Sequence, residues 1–115
     1  MKYLCLIYGE EAGAAKMSKD DMTAMMKDYG AYTQDIQKSG HYIGGNPLES
    51  VTTATTVRIR NGKMSTTDGP FAETKEQLAG YYLIEAKDLN EAIQVGSRIP
   101  GARSGSIEVR PVRPM

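Results

Sequence analysis

The sequence predicts an α+β fold of two helices and about six strands. Residues 3–8 and 81–84 are apolar without alternation, which indicates strands that are buried on both faces. Two amphipathic segments follow Ser18 and Asp88, and each begins with an N-cap side chain and an acid three positions later. The 115 residues fit one domain, residues 1–115, that is long enough to form a core without a metal or a disulfide.

The charge balance and the cysteine count exclude several classes of protein. Lys plus Arg and Asp plus Glu both number 14, so the chain lacks the positive surplus that binding to nucleic acid or to an anionic membrane needs. The longest apolar run, residues 3–8, is too short to span a bilayer, and no signal-peptide cleavage site follows it. The single Cys5 suits a reducing compartment. We therefore expect a cytoplasmic protein that binds neither nucleic acid directly nor a membrane.

The first half of the chain predicts a strand, a helix and a second strand. Residues 10–16 are expected to form a loop, after which the helix runs from the Ser18 cap to a left-handed cap at Gly40. Residues 41–43 predict a short strand, and Gly-Gly-Asn-Pro at 44–47 predicts a turn that ends it. The apolar stripe of the helix, which we expect to pack in the core, comprises Met22, Met25, Met26, Tyr29, Tyr32, Thr33 and Ile36.

The second half predicts a hairpin, a loop, a strand, a helix and a last strand. Residues 55–60 alternate with period two, and Asn61-Gly62 predicts a tight hairpin that returns through residues 63–67. A loop over 68–77 and a strand over 80–85 follow. The second helix begins at Asp88 and is closed by Pro100-Gly101, and residues 106–112 form the last strand. Its predicted apolar stripe comprises Leu89, Ala92, Ile93 and Gly96.

This order of elements predicts a ferredoxin-like sandwich with an added β-hairpin and a mainly antiparallel sheet. Two helices can cover only one face of such a sheet, yet the strands at 3–8 and 81–84 are apolar on both faces. A soluble monomer rarely exposes an apolar face of that size. We therefore expect a homodimer that packs sheet against sheet.

Most familiar catalytic and metal motifs are absent from the sequence. One histidine and one cysteine cannot form a His/Cys metal cluster, and no glycine-rich nucleotide loop is present, so no metal or other cofactor is expected. His41 lies where the first helix ends, which favours a helix-end role for it. Cys5 lies in a strand that is apolar on both faces, which favours burial as a small apolar group.

Residues 68–76 form the segment in which charged and aromatic side chains are most closely interleaved. Asp68, Glu73, Lys75 and Glu76 surround the apolar Phe71. One interpretation is structural, because Asp68 can bind turn amides while the other charges are solvated. The other is functional: at the edge of the space between helices and sheet, a partly desolvated Asp68 would act as a general acid or base.

The segment Asp-Gly-Pro-Phe-Ala-Glu-Thr-Lys-Glu at 68–76 resembles, letter for letter, the signature of the DGPF (DGPFAETKE) proteins, a branch of the YCII-related superfamily. The similarity extends to Met-Lys-Tyr-Leu at 1–4, Thr-Thr-Val-Arg at 55–58, Gly-Tyr-Tyr at 80–82 and Val-Arg-Pro at 109–111. The resemblance implies a dimeric α+β barrel, which agrees with the face-counting argument. It also implies kinship in fold with small enzymes that act on aromatic or lactone substrates without a metal.

The resemblance further implies a site. Members of the wider superfamily pair a histidine of the first helix with an aspartate, and the matching helix position here is Tyr29, which gives a catalytic pair of Asp68 and Tyr29. We expect Asp68 to move a proton, Tyr29 to orient a substrate oxygen, Lys75 or Arg58 to hold an anionic group, and Phe71 to contact the substrate. The ligand is then small and either anionic or aromatic.

Two other functions are compatible with the sequence. DGPF domains accompany extracytoplasmic-function sigma factors, so the resemblance also implies a non-catalytic, ligand-sensing module with a sigma factor as its partner. Alternatively, the signature segment determines the fold and the dimer and carries no chemistry.

Overall fold

Six strands and three helices form a mixed α+β fold with two antiparallel sheets. The computed structural model describes all residues from Met1 to Met115. Short 3₁₀ turns span Val51–Thr53 and Pro100–Arg103. In chain order the elements are β1 (Lys2–Gly9), α1 (Glu11–Ala14), α2 (Lys19–Lys38), β2 (Tyr42–Pro47), β3 (Thr55–Arg60), β4 (Lys63–Asp68), β5 (Gln77–Glu85), α3 (Leu89–Ser97) and β6 (Ser106–Pro111).

The four-stranded sheet has the order β2-β5-β1-β6, and every neighbouring pair in it is antiparallel. Strands β3 and β4 form a separate two-stranded sheet, which is the predicted hairpin. Its turn residues Asn61 and Gly62 both have positive φ, 53° and 75°, as the sequence predicts. The α+β class and the number of strands are therefore confirmed.

The core lies on one face of the four-stranded sheet, between the sheet and helices α2 and α3. Alternate residues of β1 and β5 are buried on this face, and their neighbours on the opposite face are only half-buried. The buried cluster comprises Tyr3, Cys5, Ile7, Tyr32, Ile36, Tyr82, Ile84, Ala86, Ala92, Val95 and Ile99. Burial of Cys5 is as predicted, and it raises the pKa of this thiol to about 11.

Helix α2 begins and ends where the sequence predicts. The Ser18 Oγ accepts a hydrogen bond from the Asp21 N–H at 3.0 Å, and Gly40 has φ 81°. The prediction that its methionines pack in the core is wrong for two of them, because Met22 is 51% and Met26 is 73% exposed. The buried residues of α2 are Tyr32 and Ile36, so only its C-terminal half packs on the sheet.

Strand β2 differs from the predicted turn at residues 44–47, because it continues through the two glycines to Pro47. A Cβ atom on Gly45 would lie 2.8 Å from the backbone oxygen of Tyr81 and 2.9 Å from Cδ1 of Tyr82. Glycine therefore allows β2 to approach β5 closely rather than ending the strand. Pro47 is compatible with this arrangement because β2 is an edge strand.

Three smaller differences have local causes. The predicted loop at 10–16 contains α1, a single helical turn. Strand β5 begins at Gln77, three residues earlier than predicted, because the chain already pairs with β1 there. On α3 the buried residues are Ala92, Val95 and Gly96, whereas the predicted core residues Leu89 and Ile93 are about half exposed. The sheet therefore contacts a neighbouring stripe of this helix.

No helix has the combination of length and hydropathy that a membrane-spanning helix requires.

The close approach at Gly45 can be tested against its neighbour. Gly45→Ala is expected to lower the free energy of unfolding by roughly 1–3 kcal/mol, because the new methyl group must displace β5. Gly44→Ala is the matched control, since a Cβ at Gly44 meets nothing within 4 Å. Urea denaturation of both variants measures the difference. Equal stabilities of the two variants would contradict the packing described for β2.

Candidate functional site

A cavity of about 490 Å³ lies between α2 and the β2–β5 part of the sheet. We call it the tyrosine cavity, because four of its lining residues are tyrosines. Its apolar surface includes Ile7 from β1 and Met26 from α2, and no Asp, Glu, Lys, Arg or His lines it. The full lining is Ile7, Met26, Tyr29, Thr33, Tyr42, Gly45, Asn46, Pro47, Ala79, Gly80, Tyr81 and Tyr82.

Hydrogen bonds hold two of the tyrosines in place. The Tyr29 hydroxyl accepts a hydrogen bond from the backbone N–H of Gly101 at 3.1 Å. Thr33, one turn further along α2, donates its hydroxyl proton to the Tyr29 carbonyl at 2.8 Å. The same Thr33 oxygen lies 2.7 Å from the Tyr82 hydroxyl. A single threonine therefore connects the helix wall of the cavity to its sheet wall.

The phenol groups of this wall are held in their neutral form. Burial raises the pKa of Tyr29 above its ordinary 10.0, and the hydrogen bond from the Gly101 N–H only partly offsets this effect. Burial also raises the pKa of Tyr82 above its ordinary 10.0. At neutral pH both side chains are thus uncharged hydroxyl groups.

The other two tyrosines come from the sheet. The Asn46 side-chain amide donates to the Tyr81 hydroxyl at 2.9 Å, which joins β2 to β5 on the face of the sheet away from α2. The Tyr42 ring packs edge-on against the Tyr82 ring, with centroids 6.3 Å apart and an interplanar angle of 71°. Aromatic ring edges and faces therefore form much of the apolar surface on the sheet side.

A second cavity, of about 940 Å³, lies where the base of the β3–β4 hairpin meets the start of β5. We call it the loop cavity, because much of its wall comes from residues 48–56 and 70–74. Phe71 lines it and is 79% exposed. Glu49 and Glu73 are its acidic lining residues, and Tyr8 and Leu78 close it from the sheet.

The residues of the predicted site are distributed over separate places. Tyr29 lines the tyrosine cavity and Phe71 lines the loop cavity. Arg58 lies on β3, Asp68 is the last residue of β4, and Lys75 lies in the loop between β4 and β5. All three residues are exposed and line neither cavity. No hydrogen bond joins Asp68 to Tyr29 within the chain. The catalytic pair and the substrate contacts stay predictions.

Several residues of the signature segment hold the loop in place. The Gly69 N–H donates to the Ala54 carbonyl at 2.7 Å, and Thr56 Oγ1 donates to the Gly69 carbonyl at 2.9 Å. The Ser106 hydroxyl donates to the Glu76 carboxylate at 2.8 Å, which connects the loop to β6. Part of the motif therefore has a structural role that is independent of any chemistry.

The single histidine lies between the two long helices. His41 Nδ1 lies 2.7 Å from the Ser39 Oγ, and its Nε2 lies 3.2 Å from a carboxylate oxygen of Glu91 on α3. This placement agrees with the predicted helix-end role. The structure brings no three His, Cys, Asp or Glu side chains together in a group that could hold a metal ion.

Most of the tyrosine cavity is not predicted from the sequence. Tyr29 is selected as a site residue, Tyr81 and Tyr82 are assigned to a strand that is buried on both faces, and Tyr42 is assigned only to a short strand. A signal was present in the sequence, since tyrosine recurs at 29, 32, 42, 81 and 82 around one helix and two strands. Only the pairing of β2 with β5 shows which of these side chains share a cavity.

The raised phenol pKa values predict a loss of stability at alkaline pH. A group whose pKa is higher in the folded state stabilises the fold below its unfolded pKa, near 10.0 for tyrosine, and loses this contribution as the pH rises through the folded pKa. We expect the free energy of unfolding to fall above pH 10.

Replacement of Tyr29 by Phe removes one of these ionising groups. In Tyr29→Phe the alkaline decrease should be shallower than in the wild type, although the variant is less stable at neutral pH because the Gly101 N–H loses its acceptor. Urea titrations from neutral to alkaline pH measure both effects. An unchanged alkaline slope would show that the folded state does not disfavour ionisation of Tyr29.

Comparison with known proteins identifies the family of the chain. The family model described as the YCII-related domain matches residues 1–115. A protein of Rhizobium meliloti, described as uncharacterized, is 37% identical over 114 residues, which cover 97% of this chain and 92% of that protein. Since the match spans the four-stranded sheet, its helices and the hairpin together, the chain belongs to the YCII-related domain family.

Proposed function

We propose that this protein binds a small, predominantly apolar molecule in the tyrosine cavity. The observation that carries the proposal is a cavity wall with four tyrosines and no charged side chain, between a helix and a sheet. Its volume of about 490 Å³ lies within the range of about 300–1,000 Å³ that is typical of small-molecule sites. Apolar walls with a few fixed polar groups are the usual composition of such sites.

The hydrogen bonds around Tyr29 support a preformed site. The Gly101 N–H fixes its hydroxyl oxygen, and Thr33 fixes the backbone of its helical turn. A Cβ atom on Gly101 would lie 2.7 Å from the Tyr29 oxygen, so the absence of a side chain there leaves room for this contact. A donor that is held in place loses less entropy when a ligand arrives.

Methyl NMR tests the location of binding. In protein with labelled methionine methyl groups, ethylbenzene is expected to shift the Met26 signal saturably, because Met26 lines the cavity and an aromatic ring changes the field at a nearby methyl group. Met22 is the internal control, since it lies one turn earlier on α2 and outside the lining. Met26→Leu assigns the signal. Equal shifts at both methionines, or no saturable shift, would contradict binding in this cavity.

The fold proposal concerns the four-stranded sheet and its second face. We infer a ferredoxin-like sandwich into which β3–β4 is inserted, supported by the chain order β1-α2-β2-β5-α3-β6 and the strand order β2-β5-β1-β6. On the face away from the helices, Leu4 lies opposite Leu83 and Leu6 opposite Tyr81. Neither long helix covers this apolar face.

A second copy of the chain is the proposed cover for this face, in a homodimer that forms a dimeric α+β barrel. The same surface on each protomer makes a self-complementary, two-fold interface possible. The Glu108–Arg110 ion pair of β6 lies on the same face, beside Leu4 and Leu6, and supplies a polar edge to the apolar patch.

Light scattering after size-exclusion chromatography tests the dimer. The wild type is expected to have twice the mass of the chain at micromolar concentration, and Leu6→Lys is expected to be monomeric because it places a charge in the interface. Ile93→Lys is the matched control, since Ile93 is a 45% exposed apolar residue on α3, a helix of the opposite face. A monomeric wild type, or equal dissociation of both variants, would contradict the proposed interface.

The more specific functions stay proposals. If the protein is a cofactor-independent enzyme of the DGPF branch, we expect Asp68 to move a proton. Because Asp68 does not line the tyrosine cavity of its own chain, a substrate in that cavity would have to meet Asp68 of a second copy, or the reaction would take place outside the cavity. Full turnover by an Asp68→Asn variant would exclude this role. The alternative, a regulatory module with a sigma-factor partner, is supported by the sequence resemblance alone. The cytoplasmic location is supported by the single Cys5 and by the lack of a long apolar segment in the sequence.

A further inference from the structure

The hydrogen-bonding capacity left open in the tyrosine cavity indicates the chemistry of its ligand. We propose that the cavity takes a neutral aromatic carbonyl compound, with the carbonyl oxygen accepting the hydroxyl proton of Tyr29. This inference rests on the proposed function, because it specifies a ligand for the same cavity.

The position of one threonine proton determines which phenol can donate. Thr33 has a single hydroxyl proton, which it donates to the Tyr29 carbonyl at 2.8 Å. The 2.7 Å contact between Thr33 Oγ1 and the Tyr82 hydroxyl must therefore use the proton of Tyr82. Tyr82 has no proton left for a ligand and offers only its oxygen lone pairs.

Tyr29 has the opposite arrangement. Its oxygen accepts from the Gly101 N–H at 3.1 Å, and its own proton has no acceptor in the structure. A hydroxyl proton that stays without an acceptor in a partly buried site is energetically unfavourable, and a ligand oxygen would satisfy it. The Gly101 contact also restricts the direction in which this proton points, because the N–H occupies one lone pair of the phenol oxygen.

Tyr42 increases the surplus of donors. It makes no side-chain hydrogen bond, and its ring packs against Tyr82 on the helix side of the sheet. Tyr29 and Tyr42 thus both have hydroxyl protons without protein acceptors, whereas the Tyr81 hydroxyl lies on the opposite face, where it accepts from Asn46. A ligand with oxygen acceptors complements this wall better than a ligand that brings only donors.

The absence of charged lining residues determines the charge of the ligand. A carboxylate in this cavity would lose hydration without gaining an ion pair, and an ammonium group would find no carboxylate. Arg103 acts on Tyr29 electrostatically, but it lies outside the lining and pairs with Asp28 at 2.9 Å. A neutral ligand avoids this desolvation cost.

The apolar surface favours an aromatic ring beside the carbonyl group. The Tyr42 and Tyr82 rings are packed edge to face, and a planar ligand ring can continue the same packing. Met26 at the wall supplies a flexible thioether that makes favourable contacts with ring edges.

NMR titration with three probes of similar size separates these effects. We expect acetophenone to bind to the wild type, and Tyr29→Phe to weaken its binding roughly three- to tenfold through the loss of one hydrogen bond. Ethylbenzene has a similar shape without the carbonyl group, so Tyr29→Phe should leave its affinity unchanged. Benzoate should bind at least about tenfold more weakly than acetophenone, because its carboxylate has no charged partner in the cavity.

Tyr32→Phe is the matched control for the loss of a buried hydroxyl. Tyr32 lies one turn from Tyr29, donates to the Val95 carbonyl at 2.8 Å and does not line the cavity, so its replacement should leave the affinities of all three probes unchanged. A purely structural effect of Tyr29→Phe would weaken acetophenone and ethylbenzene equally.

The outcomes distinguish the two levels of the proposal. If ethylbenzene binds but Tyr29→Phe weakens both probes equally or neither, or if benzoate binds as tightly as acetophenone, the carbonyl assignment is overturned while binding in the cavity stands. If none of the three probes binds, the proposed function fails as well.

Discussion

The antiparallel pairing of β1 with β5 at the centre of the four-stranded sheet determines which side chains reach the core. The register, which places Tyr3 opposite Ile84 and Leu4 opposite Leu83, sorts the side chains of both strands onto two faces. One face forms the core with α2 and α3. The other face is apolar, and neither long helix covers it. Because the β1–β5 register brings apolar residues of both strands together on this face, it also supports the proposed dimer.

The tyrosine cavity follows from how the edge strand β2 joins this central pair. Gly45 lies opposite Tyr82, and Gly80 lies opposite Pro47, so both strands lack a side chain at a point where they meet. Tyr42 pairs with the core residue Ile84, so its side chain lies on the same face of the sheet as the Tyr29 turn of α2. The resulting cavity is neutral because its residues come from the apolar stripe of α2 and from strand interiors, where charged side chains are disfavoured.

The features that the sequence predicts correctly depend on neighbours along the chain. The Ser18 and Asp88 caps and the Asn61-Gly62 turn each require only a few consecutive residues, and the structure contains all three. The path of β2 through Gly44 and Gly45 could not be predicted in this way, because it depends on β5, more than thirty residues away. The same limitation applies to the site. The family resemblance points to the helix position of Tyr29, whereas Tyr42, Tyr81 and Tyr82 are brought together only by strand pairing.

A crystal structure of the protein with acetophenone would show whether a carbonyl ligand binds at the unused Tyr29 proton. We expect the ring in the tyrosine cavity, with its carbonyl oxygen about 2.5–3.0 Å from the Tyr29 hydroxyl oxygen and with the Gly101 N–H still bound to that hydroxyl. If acetophenone bound only elsewhere, or bound in the cavity with its oxygen turned away from Tyr29, the proposed hydrogen bond from Tyr29 would be wrong.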